Sequence, residues 1–253
     1  MASQFHRNLN RMALFTAVAA IGIVFVRRDF MSFAITNIYM NGAIIGITIF
    51  GALVCFAHIF ALLPEYRWMR RYFENRLRAA DDYPPIVLRP IAIMLNRVRL
   101  SGNSFISAQT LNNFLDIIMG RFEDMRESVR YITNILIFIG LLGTFWGLLK
   151  TTGGFADLLY NLNFEDSGTA FESMRSGLAV PLKGIGTAFS TSFFGLGGSL
   201  LVGFLGLQAT LAQNALFREL EEGLAGRVRV SPDVAELANA VVRLESTLSK
   251  RET

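Results

Sequence analysis

Apolar positions gather in four blocks along the chain, 9–26, 38–63, 131–149 and 184–212, separated by stretches rich in Arg, Lys, Glu and Pro. A helix crosses about 30 Å of hydrocarbon with about 20 apolar residues, so each block spans a bilayer or nearly does. The pattern predicts an all-α polytopic membrane protein with four transmembrane helices and long helices that extend into the cytoplasm. It divides the chain into an N-terminal transmembrane hairpin (1–63), a cytoplasmic helical region (64–130), a second transmembrane hairpin (131–212) with an outer loop at 150–183, and cytoplasmic C-terminal helices (213–253).

Within these blocks the periodicity carries more detail. Leu111, Leu115, Ile118, Phe122, Met125, Val129 and Ile132 alternate spacings of four and three. That is a heptad seam, expected to pair subunits in a tight cytoplasmic rod. No Pro interrupts it before the third block, so one long helix is predicted to begin near Ser107 and become transmembrane near Tyr131. The same face then changes character. Gly140, Gly143, Thr144, Gly147 and Thr151 fall in a stripe about 100° wide, while the other faces carry Leu, Ile, Phe and Trp. Gly184, Thr187, Thr191, Gly195 and Gly198 form a second stripe in the fourth block, with Ser192 to one side. Small residues let membrane helices approach closely, and a Thr hydroxyl often bonds back to the preceding turn. Two matched stripes bearing hydroxyls also suit the wall of a narrow polar pathway. Thr144, Thr187, Thr191 and Ser192 are the candidate ion-pathway groups. Gly140, Gly143, Gly147, Thr151, Gly184, Gly195 and Gly198 are expected to pack against a partner helix.

Between the hairpins, the second block is predicted to end at Pro64 and to continue as an interfacial helix in which Arg67, Arg70 and Arg71 alternate with Tyr66, Trp68, Tyr72 and Phe73. Ser101 to Ser104 reads as a turn. A short helix is expected near Phe171 to Gly177, with Pro181 at the start of the fourth span. Ser231-Pro232-Asp233 reads as a helix cap, and Val234, Leu237, Val241, Leu244 and Leu248 as a further cytoplasmic helix.

Composition agrees with the membrane assignment: 17% of residues are charged and the mean hydropathy is +0.42, where soluble domains carry about 25% charged residues. The 24 Lys and Arg against 20 Asp and Glu make the chain basic. With the N-terminus inside, only Arg27, Arg28, Lys150, Arg175 and Lys183 lie outside, which fixes both termini in the cytoplasm. The basic residues flank apolar spans and form no separate domain, so no nucleic-acid partner is expected. Arg27-Arg28-Asp29 stands where a signal peptide would carry small cleavage-site residues, and the first span is read as a retained anchor.

Candidate chemistry is sparse. Nothing resembles a phosphate loop, a catalytic triad or a metal-ligand cluster, so neither an enzyme activity nor a cofactor is expected. Cys55 is read as packing and His58 as bonding a neighbouring helix, while Lys183 marks the outer membrane boundary. No Asp or Glu occurs in any of the four blocks. Either no proton crosses here, or it meets hydroxyls and its titrating carboxylate belongs to another chain. A secondary transporter and a noncatalytic scaffold are the competing readings. The transporter is weakened by the lack of inverted repeats and charged midplane sites.

The segment IGLLGTFWGLLKT, centred on Gly140 to Leu148, resembles the penultimate membrane helix of the MotA/TolQ/ExbB proton channel family, whose run is of the type G-L-x-G-T-V-W-G. Residues LAVPLKGIGTAFSTSFFGLGGSLLVGF resemble that family's last membrane helix. The resemblance covers about the C-terminal half, and the four-span topology is closest to MotA. Where ExbB and TolQ carry a glutamate before the last-helix threonine, this chain reads Leu182, Lys183, Gly184. The resemblance implies a ring-forming stator or channel subunit, a pentamer in the bacterial inner membrane. The ring would surround a dimer of a single-span MotB/TolR/ExbD-like partner whose membrane Asp exchanges H⁺ or Na⁺. It maps Thr144 onto the family's channel-lining threonine and Thr187 onto the last-helix threonine, with Ser192 in a shifted alignment.

Overall fold

A computed structural model describes residues 2–25, 27–74, 86–93, 106–161, 173–225 and 228–229. The expected turn at Ser101 to Ser104 and the helix at Val234 to Leu248 with its cap lie outside the described residues. The architecture is all-helical: α1 (Ala2–Phe25), α2 (Arg27–Thr36), α3 (Ile38–Phe73), α4 (Ala108–Asn161) and α5 (Ala179–Ala225). Helical turns also occupy 89–93 and 173–177. A parallel two-residue bridge joins β1 (Ile106–Ser107) to β2 (Val228–Arg229). Three helices are long and apolar enough to cross a membrane, Ile38–Phe73, Gln109–Tyr160 and Ser173–Ala225. Their outward side chains agree: Phe138, Phe145, Phe189 and Leu200 are all at least 60% exposed. An apolar surface of this kind belongs in lipid or against other chains, and the protein is membrane-embedded.

The chain forms two compact units, Met1–Phe60 with Met125–Ala212, and Ala61–Asp124 with Gln213–Thr253. In the first, α5 is the central helix. Half of its apolar window is buried, against 22% for α3 and 28% for α4. Phe204 meets Phe15 of α1 with ring centroids 4.0 Å apart, and Phe193 stacks on Phe33 of α2 at 6.4 Å. Thr48 of α3 fills the space over Gly198, and Val202 lies over Gly51. The remaining side of α5 meets α4. Small residues are needed on α5 because neighbours approach it from several directions.

The second unit has an ordinary bulky core. Leu111, Leu115, Ile118 and Phe122 of α4, Leu62 and Met69 of α3, Leu88 and Ile91 of the 86–93 segment, and Leu216 and Leu220 of α5 are all buried. Gly223 admits the ring of Phe73, which any side chain at 223 would strike. Leu111, Leu115, Ile118, Phe122 and Val129 are therefore core side chains of a single chain, with Met125 half-buried. These positions were expected to pair subunits; within the chain, the heptad spacing marks a buried stripe that its own segments cover.

The second block was expected to end at Pro64 and to continue as an interfacial helix, and α3 runs through Pro64 to Phe73. Proline removes an N–H from the ladder and crowds the preceding turn, and the buried side chains of Leu62, Glu65 and Met69 hold the helix on both sides of it. The outer loop was expected to start at Lys150, yet α4 continues to Asn161. Packing outlasts the apolar run there. Gly154 lies against Pro181, and the buried Leu158 fills the space over Gly177. The short helix near Gly177 is present over 173–177, and α5 begins at Ala179, two residues before Pro181.

Candidate functional site

The two small-residue stripes pack against each other. Gly140 faces Gly195, Gly143 faces Thr191, Gly147 faces Gly184 and Ala188, and Gly184 faces Thr151. The pairing is antiparallel and continues to Gly206 on Val129. Contact is backbone to backbone. A Cβ on Gly147 would stand 2.5 Å from the Ala188 nitrogen and 2.6 Å from the Gly184 carbonyl oxygen. One on Gly195 would stand 2.8 Å from both the Gly140 Cα and the Leu136 carbonyl oxygen. These glycines are needed because backbone, not a flexible side chain, occupies the space a methyl would take.

Gly140, Gly143, Gly147, Thr151, Gly184 and Gly195, expected to pack against a partner helix, here pack α4 and α5 on one another. Gly198 belongs to a different contact, under Thr48 of α3. A cleft of ≈ 320 Å³ lies at the far end of α4, lined by Gly154, Asp157, Leu158, Ser173, Ser176, Gly177 and Val180.

The hydroxyls sort by what each can reach. Thr187 donates to the Lys183 carbonyl at 3.0 Å, and Thr191 to those of Thr187 and Ala188 at 2.9 and 3.1 Å. Both side chains are buried and satisfied by their own helix. Thr151 bonds back to Gly147 at 2.9 Å and across to the Pro181 carbonyl at 3.2 Å, which ties the ends of α4 and α5 together. Thr144 differs. Its hydroxyl lies 2.6 Å from Ser192 Oγ, 3.1 Å from the Gly140 carbonyl and 3.4 Å from the Ala188 carbonyl. Thr144 and Ser192 are both half-buried, at the edge of the seam. A hydroxyl has one hydrogen to give, so in this pair one oxygen donates to the other while the acceptor's hydrogen goes to a carbonyl or to solvent.

Of the four candidate pathway groups, the structure brings Thr144 and Ser192 together and places Thr187 and Thr191 inside the packing. The first two lie half-buried at the seam's edge and the other two within it. The pairing follows from the antiparallel register of the two helices, which sets Thr144 opposite the Thr191/Ser192 step.

Two polar side chains escaped sequence reasoning. Glu65, 1% exposed, accepts the N–H groups of Val87 and Leu88 at 2.8 and 3.0 Å. It thereby satisfies free donors at the start of the 89–93 turn, as an N-cap does, from another segment. Arg121 completes the clasp by donating to the Ile86 carbonyl at 2.7 Å. Asn41, fully buried, donates through Nδ2 to the Phe33 and Ala34 carbonyls at the end of α2, at 2.8 and 3.3 Å, and to Ser190 Oγ at 3.2 Å. Spacing announced neither, because the partner of each lies on a different segment. Of the other groups singled out in the sequence, Cys55 is buried with its sulfur 3.8 Å from the Val202 carbonyl, His58 is half-buried, and Lys183 is exposed. Lys150 Nζ sits 5.9 Å from the Trp146 ring centroid, within cation–π range. Among the described residues no group of three His, Cys, Asp or Glu converges. No family model, curated protein or solved structure matches the chain.

Proposed function

We propose that this chain is a channel and stator subunit of an ion-driven inner-membrane motor of the MotA/TolQ/ExbB type. The half-buried Thr144–Ser192 hydroxyl pair carries the reading. It is a pair of exchangeable hydroxyl hydrogens at the rim of a rigid two-helix seam, in apolar blocks that contain no carboxylate. Hydroxyls solvate a passing H⁺ or Na⁺ but do not hold it, so the titrating group comes from a partner. In this proposal α1 and three further helices make four spans, with both termini in the cytoplasm. Copies of the chain form a pentameric ring, the exposed apolar faces of α4 and α5 meet lipid or neighbours, and two single-span helices bearing a membrane Asp occupy the centre. Coupling of ion flow to rotation or rocking of the ring delivers work to the envelope or flagellum.

Ion uptake by proteoliposomes holding this chain and its single-span partner tests the reading. The double variant Thr144→Val, Ser192→Ala is expected to slow uptake by about tenfold, the size of one lost hydrogen bond to the ion's path. Thr152→Val serves as the control, because that exposed hydroxyl bonds only to Leu148 and Leu149 of its own helix. An unchanged rate in the double variant sinks the assignment. It would leave the scaffold reading, which the mutual packing of the two glycine stripes favours.

A further inference from the structure

Asn41 carries an observation that the ion-pathway reading does not use. Its Nδ2 has three acceptors, the Phe33 and Ala34 carbonyls and Ser190 Oγ. The amide cannot be turned round, because Oδ1 would then face two carbonyl oxygens. Oδ1 is therefore fixed as an acceptor, and it is buried with no hydrogen-bond partner among the described residues. Buried amide oxygens are almost always paired, and more strictly so where the surroundings are apolar. Room exists nearby. Gly186 lies one turn before Ser190 on α5, and a Cβ there would meet nothing closer than Thr36 Cγ2 at 3.5 Å. Apart from that Thr36 methyl, no heavy atom from outside the helix's own backbone comes within 4 Å, which leaves a gap on the face that carries Ser190.

We propose that Asn41 Oδ1 accepts a hydrogen bond from one buried water molecule seated in the gap at Gly186 between α2, α3 and α5. A buried water needs two to four polar partners. Asn41 Oδ1 supplies the first and the Ser190 hydroxyl the second. Ser190 already accepts from Asn41 Nδ2 and donates to the Thr187 carbonyl at 3.1 Å, which leaves it one lone pair. The water then joins an existing ladder. The Thr191 hydroxyl lies 2.9 Å from the Thr187 carbonyl and 3.1 Å from the Ala188 carbonyl, and the Thr144 hydroxyl lies 3.4 Å from the latter, so neighbouring hydroxyls share these two acceptors. Asn41 is a positioning residue in this arrangement, holding the end of α2 and the water against the side of α5 that faces away from α4. The site stands whether or not ions cross the membrane.

A cryo-EM map of the protein in a lipid nanodisc, at a resolution that shows ordered water, tests the inference. The expected result is a single peak about 2.7–3.0 Å from Asn41 Oδ1, lost in Gly186→Ala while the backbone of α5 stays in place. Three results overturn it: a protein N–H or O–H bonded to Oδ1 in place of water, no peak there in a map that shows other buried waters, or a peak that persists in Gly186→Ala.

Discussion

The buried face of α4 is built in two ways. In the unit Ala61–Asp124 with Gln213–Thr253 it carries Leu111, Leu115, Ile118 and Phe122, side chains that fill a core. In the unit Met1–Phe60 with Met125–Ala212 it gives way, beyond Val129, Ile132 and Leu136, to Gly140, Gly143 and Gly147, which fill nothing and let α5 touch the backbone. The helical period is the same in both. The first arrangement draws stability from apolar area removed from water, whereas the second, whose outer faces are already apolar, draws it from close contact and from hydroxyl–carbonyl bonds. Opposite changes in side-chain size should therefore damage the two halves of one helix.

Phe122→Ala, which empties the bulky core, is expected to have the largest effect, about 3–5 kcal/mol. Urea or thermal unfolding followed by probes in each unit would read it, and a loss below about 1 kcal/mol would mean the side chain is not core. Gly147→Ala adds a single methyl and is expected to cost about 1–3 kcal/mol, because the methyl meets the Ala188 and Gly184 backbone. Thermal stability in detergent measures this, and an unchanged midpoint would show that the two backbones are not in contact. Gly153→Ala, a few residues along the same helix, sharpens the contrast. Nothing lies within 4 Å of its missing Cβ, so helix propensity alone should raise stability by up to about 1 kcal/mol. A loss there would mean that packing extends around to that face.

Periodicity made the buried stripe of α4 legible from Leu111 to Thr151, and side-chain size showed where another backbone comes close. Neither says which chain supplies the neighbour. The heptad and the glycine stripe were both expected to face other polypeptides, and both are covered within the chain. Helix ends were legible only where hydropathy and packing changed together. At Lys150 they do not, and the helix runs on to Asn161. The Thr144–Ser192 pair was half legible: each residue stood out, but their pairing needed the register between α4 and α5. Glu65 and Asn41 were not legible at all, since a polar residue shows its purpose only when its acceptors or donors, far along the chain, are in place.

The central position of α5 has a consequence for biogenesis. It is the last of the five helices to leave the ribosome, yet Gly198 and Ser190 on it complete the surroundings of Thr48 and Asn41, residues made some 150 positions earlier. Until it inserts, α1 to α4 have no common partner, and the Asn41 amide lacks its Ser190 contact. The first unit is therefore complete only once α5 is made, and a nascent chain stalled before Ala179 leaves Thr48 without Gly198 and Asn41 without Ser190.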